Sequence, residues 1–196
     1  MSFPGIYKKQ NSFIDVRYRR IFEDIVPRIR SLKGQLNLLS FSDYKRDIVR
    51  SACVELLGEA SLEKNIKPFQ LYSYNLDEIS RLDDKDLPRY LYYRYRYEIF
   101  PQRLRLDDFP PCLQIEPTSI CNYRCPFCYQ IDEEFTQKSN GMMGMMSLDL
   151  FKRIVDQTEG QCEAVTLASR GEPLICPDIE HMIRYAGGKF LALKIV

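Results

Sequence analysis

The sequence predicts an α/β protein in which residues 111–196 form a three-stranded parallel sheet and residues 1–110 form a mainly helical region ahead of it. Three observations carry that expectation. Beyond residue 110 the apolar pattern switches between period two and period 3.6 in the order strand, helix, strand, helix, strand, the rhythm of crossover units around a parallel sheet. Pro110-Pro111, after Asp107-Asp108-Phe109, cannot continue a helix and favours an extended connection, which sets the boundary. Upstream, Ser42 stands where an N-cap belongs, ahead of a helical face that stops at Gly58.

In chain order, Ile14 to Arg30 reads as a helix interrupted by Pro27, and the Ser42 helix carries Tyr44, Ile48, Ala52, Cys53, Leu56 and Leu57. Residues 89–97, Arg-Tyr-Leu-Tyr-Tyr-Arg-Tyr-Arg-Tyr, fit two patterns. Tyr90, Tyr93 and Tyr97 share a helical face, while Tyr93, Tyr95 and Tyr97 alternate as in a strand. Either way the rings are expected to pack while the arginine heads reach water, in preference to a nucleic-acid surface. Leu113 and Ile115 alternate with Gln114 and Glu116 in a first strand that Pro117 ends. Residues 129–146 are irregular. Ser147 can cap a helix whose Leu148, Phe151, Ile154 and Val155 line one face. Residues 164–169 read as a second strand, followed at once by Arg170-Gly171-Glu172-Pro173. Pro177 can open a second helix with Ile179, Met182, Ile183 and Ala186 inward, Gly187-Gly188 can close it, and residues 190–196 read as the third strand.

Composition narrows the function classes. Lys plus Arg number 28 against 27 Asp plus Glu, so no global field favours nucleic acid or an acidic membrane. The N-terminal Met1–Lys9 lacks a signal peptide's apolar core and no run approaches a membrane span, so a cytoplasmic location is expected. Seven cysteines, an odd number, fit a reducing compartment better than a disulfide framework. Cys53, Cys112, Cys162 and Cys176 are scattered among apolar neighbours and read as small buried hydrophobes; His181 reads as a packing or surface residue.

The remaining three cysteines form the run Cys121-Asn-Tyr-Arg-Cys125-Pro-Phe-Cys128. A C-x-x-x-C-x-x-C loop brings three soft ligands together without a fourth, which lets a [4Fe-4S] cluster keep one iron open. The triplet follows the first strand and Arg170-Gly171-Glu172-Pro173 follows the second. Both loops are therefore expected at the carboxyl edge of the sheet, where parallel α/β proteins place their sites. Glu172 offers a carboxylate for charge-assisted hydrogen bonds, Gly171 permits close backbone approach, and Pro173 stiffens the turn.

Taken together, the triplet after a strand and the Gly-Glu-Pro loop one helix later resemble the radical S-adenosylmethionine (radical SAM) superfamily over residues 112–196. Glu116, Thr118, Asn122, Phe127 and Gly144-Met-Met look like the branch that often carries a C-terminal SPASM or twitch domain. The resemblance implies that Cys121, Cys125 and Cys128 ligate a [4Fe-4S] cluster and that SAM chelates its remaining iron. It also implies that Phe127, Gly171, Glu172 and Pro173 border SAM, with Phe127 shielding the cluster near the adenine. The reduced cluster of the family cleaves SAM to a 5'-deoxyadenosyl radical that abstracts hydrogen from substrate, and a reductant protein such as a flavodoxin or ferredoxin supplies the electron. Arg170 stands where many members have the first glycine of Gly-Gly-Glu-Pro.

The family core is a partial (β/α)6 barrel, and the chain is expected to hold a three-strand segment of it. An expectation of a truncated product or fragment, with poor activity by itself, follows from Val196 falling within the third strand. No residue identifies the substrate or a catalytic group. Two alternatives use the same thiols without catalysis. One is a closed zinc site completed by Cys112, Cys162, Cys176 or His181, and the other an electron-transfer cluster with a fourth protein ligand.

Overall fold

The computed structural model describes residues 13–62 and 66–196, with side chains from Ile21 onward. Met1–Lys9, read above for a leader, lies outside the described residues. The chain divides into two units, Met1–Tyr95 and Arg96–Val196. That division falls inside a helix, upstream of the Pro110-Pro111 break at which the sequence pattern changes.

The first unit is helical. Helix α1 spans Phe13–Gln35, and α2 spans Asp43–Leu56 with the Ser42 hydroxyl accepting from the Lys45 amide as its N-cap. Gly58, at φ +71°, takes the left-handed conformation that ends α2. Pro27 does not interrupt α1. Ile25, Ile29 and Leu32, spaced along one face, are buried, and α1 packs on α2 and α3 (Ser73–Ile79), so tertiary burial outweighs the lost backbone bond.

Residues 89–97 resolve as helix, within α4 (Leu87–Gln102). Tyr90, Tyr92 and Tyr95 are buried, and two of their hydroxyls meet carboxylates: Tyr90 donates to Glu78 at 2.7 Å and Tyr95 to Glu55 at 2.6 Å. Glu55 also accepts from the Phe69 amide at 2.7 Å. The expectation that arginine heads reach water is wrong for two of them. Arg94 and Arg96 are 7% and 1% exposed. In the second unit Arg96 is satisfied by the Asp107 carboxylate and by the carbonyls of Phe109 and Gln161, the last at 3.0 Å. Its five N–H donors suit such a junction of loop carbonyls, which a sequence period cannot reveal.

The second unit carries the sheet. Strands β1 (Cys112–Ile115), β2 (Ala164–Leu167) and β3 (Ala192–Ile195) lie side by side in chain order, all parallel. Cys112 pairs with Ala164 and Ala164 with Ala192, so the strands start level and end level. A short helical turn, α5 (Glu133–Thr136), lies between the cysteine loop and α6. Helix α6 (Leu148–Thr158), capped by Ser147, joins β1 to β2, and α7 (Ile179–Ala186) joins β2 to β3. Phe151 and Val155 of α6 and Met182 and Ala186 of α7 form one core with Ile115, Val165 and Leu167. The elements match the periodic pattern with shorter ends, and α7 opens at Ile179, two residues after Pro177. Among the described residues no helix is long and apolar enough to cross a membrane.

Candidate functional site

Because the strands are parallel and level, the chain leaves β1 and β2 at the same edge, and the two loops expected there meet. Their contact begins at Gly171. A Cβ built on this residue would stand 2.0 Å from the Thr118 carbonyl oxygen and 2.7 Å from that of Ile120. Only glycine allows that approach. Beside it the Glu172 amide donates to the Ile120 carbonyl at 2.9 Å.

Glu116 and Arg170 add a second fastening. The Arg170 amide donates to Glu116 Oε2 at 2.9 Å, and its guanidinium reaches Oε1 at 2.8 Å. Burial raises the Glu116 pKa, but the Arg170 guanidinium and amide together with the Ser169 hydroxyl outweigh it and hold the carboxyl below the usual carboxylate range. The residue before Arg170, Ser169, has φ +144°, a conformation that non-glycine residues occupy only when their surroundings fix it. Arg170 therefore has a structural use here: its side chain locks the tips of β1 and β2.

Gln130 supplies the third fastening. Its Nε2 donates to the Ser119 carbonyl at 2.8 Å and to the Arg170 carbonyl at 2.6 Å. Next to it, burial pushes the Tyr129 phenol up, and the charges of Glu116 and Cys128 add to this against Arg170 and the Gln130 amide. A fourth strip completes the wall. The Ser119 amide donates to the Gly144 carbonyl at 3.0 Å, the Gly144 amide to the Ser119 hydroxyl at 2.8 Å, and the Met146 amide to the Pro117 carbonyl at 2.8 Å. Of the methionines, Met146 packs against the core while Met142 and Met145 are exposed, in line with a packing role for the first only.

Cys121, Cys125 and Cys128 lie on the loop that this framework supports. All three are free and partly exposed, and together with Tyr123, Arg124, Gln130 and Ile131 they line a single cleft of about 20 Å3. The Cys128 amide donates to the Cys125 carbonyl at 3.0 Å, and the Tyr123 amide lies 3.4 Å from Cys121 Sγ, the kind of N–H contact that tunes a metal-bound thiolate. Among the described residues no three cysteine, histidine or acidic side chains converge in metal-binding geometry. A cleft of this size holds about one water. Three soft thiolates on one accessible loop are a donor set that suits an iron–sulfur cluster, while the cleft as it stands is too small for one.

The other expected contacts are placed unevenly. Glu172 Oε1 accepts from the Leu174 amide at 3.1 Å, capping the turn Pro173–Ile175. Pro173 is buried, whereas Phe127 is 90% exposed and shields nothing within the chain. The candidate fourth ligands lie apart. Cys112 and Cys162 are at the opposite, amino edge of the sheet, the latter with its thiol on the Ala164 carbonyl at 3.1 Å; Cys176 is buried in the core and His181 is exposed on α7. Neither Gln130 nor Ser119 was found from the sequence, since a polar residue in an irregular loop carries no periodic signal.

No family model, curated protein or solved structure matches this chain.

Proposed function

We propose that residues 111–196 form a segment of a radical SAM core: three strand units of a partial (β/α)6 barrel, with Cys121, Cys125 and Cys128 as ligands of a [4Fe-4S] cluster. The observation that carries this reading is the fusion of the cysteine-bearing loop with the Arg-Gly-Glu-Pro loop at one sheet edge, through a glycine contact that tolerates no side chain.

In this reading Cys121, Cys125 and Cys128 would hold the cluster, which, with an electron from a flavodoxin or ferredoxin, would supply the reducing power for cleaving SAM and so for radical hydrogen abstraction. The chain's own residues bind and orient. Gly171 brings its backbone against the Thr118 and Ile120 carbonyls that lead into the cysteine loop, and Glu172 keeps Oε2 for an ammonium group while Oε1 caps the turn. Pro173, buried, fixes the turn behind it. Phe127, exposed, covers whatever occupies the opened cleft. Free thiols throughout the described chain agree with a reducing, cytoplasmic setting.

Anaerobic reconstitution with iron and sulfide tests the proposal. About four irons per chain are expected, with an EPR spectrum of the reduced protein that changes on adding SAM. Cys→Ala at 121, 125 or 128 should abolish it, and Cys→Ala at 53, 112, 162 or 176 should not. One tightly bound zinc and no cluster would overturn it. Formation of 5'-deoxyadenosine then reports whether this chain suffices for turnover.

A further inference from the structure

Gln130 holds an atom that the framework does not use. The side chain is 6% exposed, and its Oε1 is buried with no hydrogen-bond partner. Its assignment is secure on chemical grounds: two carbonyl oxygens, of Ser119 and Arg170, face the other end of the amide, and only the NH2 group can satisfy both. A buried amide oxygen left unpaired is costly enough that native structures rarely keep one without a use. The same side chain lines the cleft of the three cysteines.

We propose that Gln130 is a positioning residue that also acts as an acceptor in the binding site. Its NH2 group clasps the cysteine loop to the Arg-Gly-Glu-Pro loop, and its Oε1 takes a hydrogen bond from an ammonium or hydroxyl group of the small molecule held at the cysteines. Occupancy of the cleft thereby stiffens the clasp, since one amide then bridges both loops and the ligand. The acceptor half rests on the function proposed above, with SAM as the molecule concerned; the clasp half does not.

Two substitutions separate the halves. Q130L removes donors and acceptor alike. Q130K keeps an N–H donor for both carbonyls and removes the acceptor. The first readout is amide exchange in the metal-free chain. Loss of both clasp hydrogen bonds should speed exchange of the Glu172 amide roughly thirtyfold in Q130L, with Q130K within about threefold of the parent. The second is SAM affinity of the reconstituted protein by equilibrium dialysis, expected to fall about tenfold or more in both variants.

Unchanged Glu172 exchange in Q130L overturns the clasp. Parental SAM affinity in Q130K overturns the acceptor. Failure of the parent chain to form a cluster or bind SAM overturns both the acceptor and the function on which it rests, while the exchange result still decides the clasp.

Discussion

Replacing Gly171 with alanine tests the framework at its tightest point. The added Cβ would lie 2.0 Å from the Thr118 carbonyl oxygen, roughly 1.4 Å short of ordinary contact, and both atoms nearest to it are backbone oxygens that no rotamer change can move aside. The loops must separate. Overpacking of this kind costs about 1–3 kcal/mol, and separation also breaks the 2.9 Å bond from the Glu172 amide to Ile120, worth about 1 kcal/mol more. A loss of about 2–4 kcal/mol is therefore expected. Gly171 is not among the glycines with positive φ, so alanine meets no backbone penalty there and the effect reports the close approach alone. Gly144→Ala is the control in the same unit, because a Cβ at 144 meets nothing within 4 Å. Urea unfolding followed by far-UV circular dichroism measures the loss, and amide exchange of β1 to β3 reads the second unit separately. The reasoning fails if Gly171→Ala unfolds within about 0.5 kcal/mol of Gly144→Ala, a margin typical of neutral substitutions.

Other predictions follow from single contacts. Asp107→Ala leaves the Arg96 guanidinium, 1% exposed, without its carboxylate and should cost about 3–5 kcal/mol in the same unfolding assay. Glu116 has a depressed pKa in the folded chain, so the stability it contributes is present above its ordinary value of 4.5 and lost as pH falls through the folded value. Glu116→Gln should accordingly flatten the acid limb of the stability profile below that pH. Native-state alkylation at pH 8 should label Cys121, Cys125 and Cys128 within minutes. Cys53 and Cys162 should stay protected until urea is added, because burial pushes their thiols up to about 12 and about 11.

How much of this was legible in the sequence depends on whether a residue's role is periodic. Helices α6 and α7 and the three strands bury one face against one core, so their apolar spacing announces them. The Ser42 cap and Gly58 stop of α2 were legible for the same local reason. Helix α3 was not. It has seven residues, with Tyr72 rather than a usual cap at its start, whose own amide donates to Asn75 Oδ1. Arg96, Gln130 and the Glu116–Arg170 pair act on carbonyls or carboxylates 11 to 65 positions away, and nothing in their own neighbourhood encodes such partners.

The candidate site is also unequally prepared. On the side of Arg170-Gly171-Glu172 each group has a fixed partner: two backbone amides, a bidentate guanidinium and a glycine pressed against carbonyl oxygens. On the side of the thiols the loop from Cys121 to Cys128 bonds largely to itself, with Phe127 in solvent and Arg124 donating to the neighbouring loop carbonyls of Cys121 and Tyr123. Rigid positioning belongs where a ligand must be oriented, and compliance belongs where a metal centre must enter and draw thiolates together, since metal binding supplies the folding energy for its own loop. Gln130 stands at the border between the two. Its amide ties the cysteine loop to the Arg-Gly-Glu-Pro loop, which is why a single side chain there can report both on the framework and on what the framework binds.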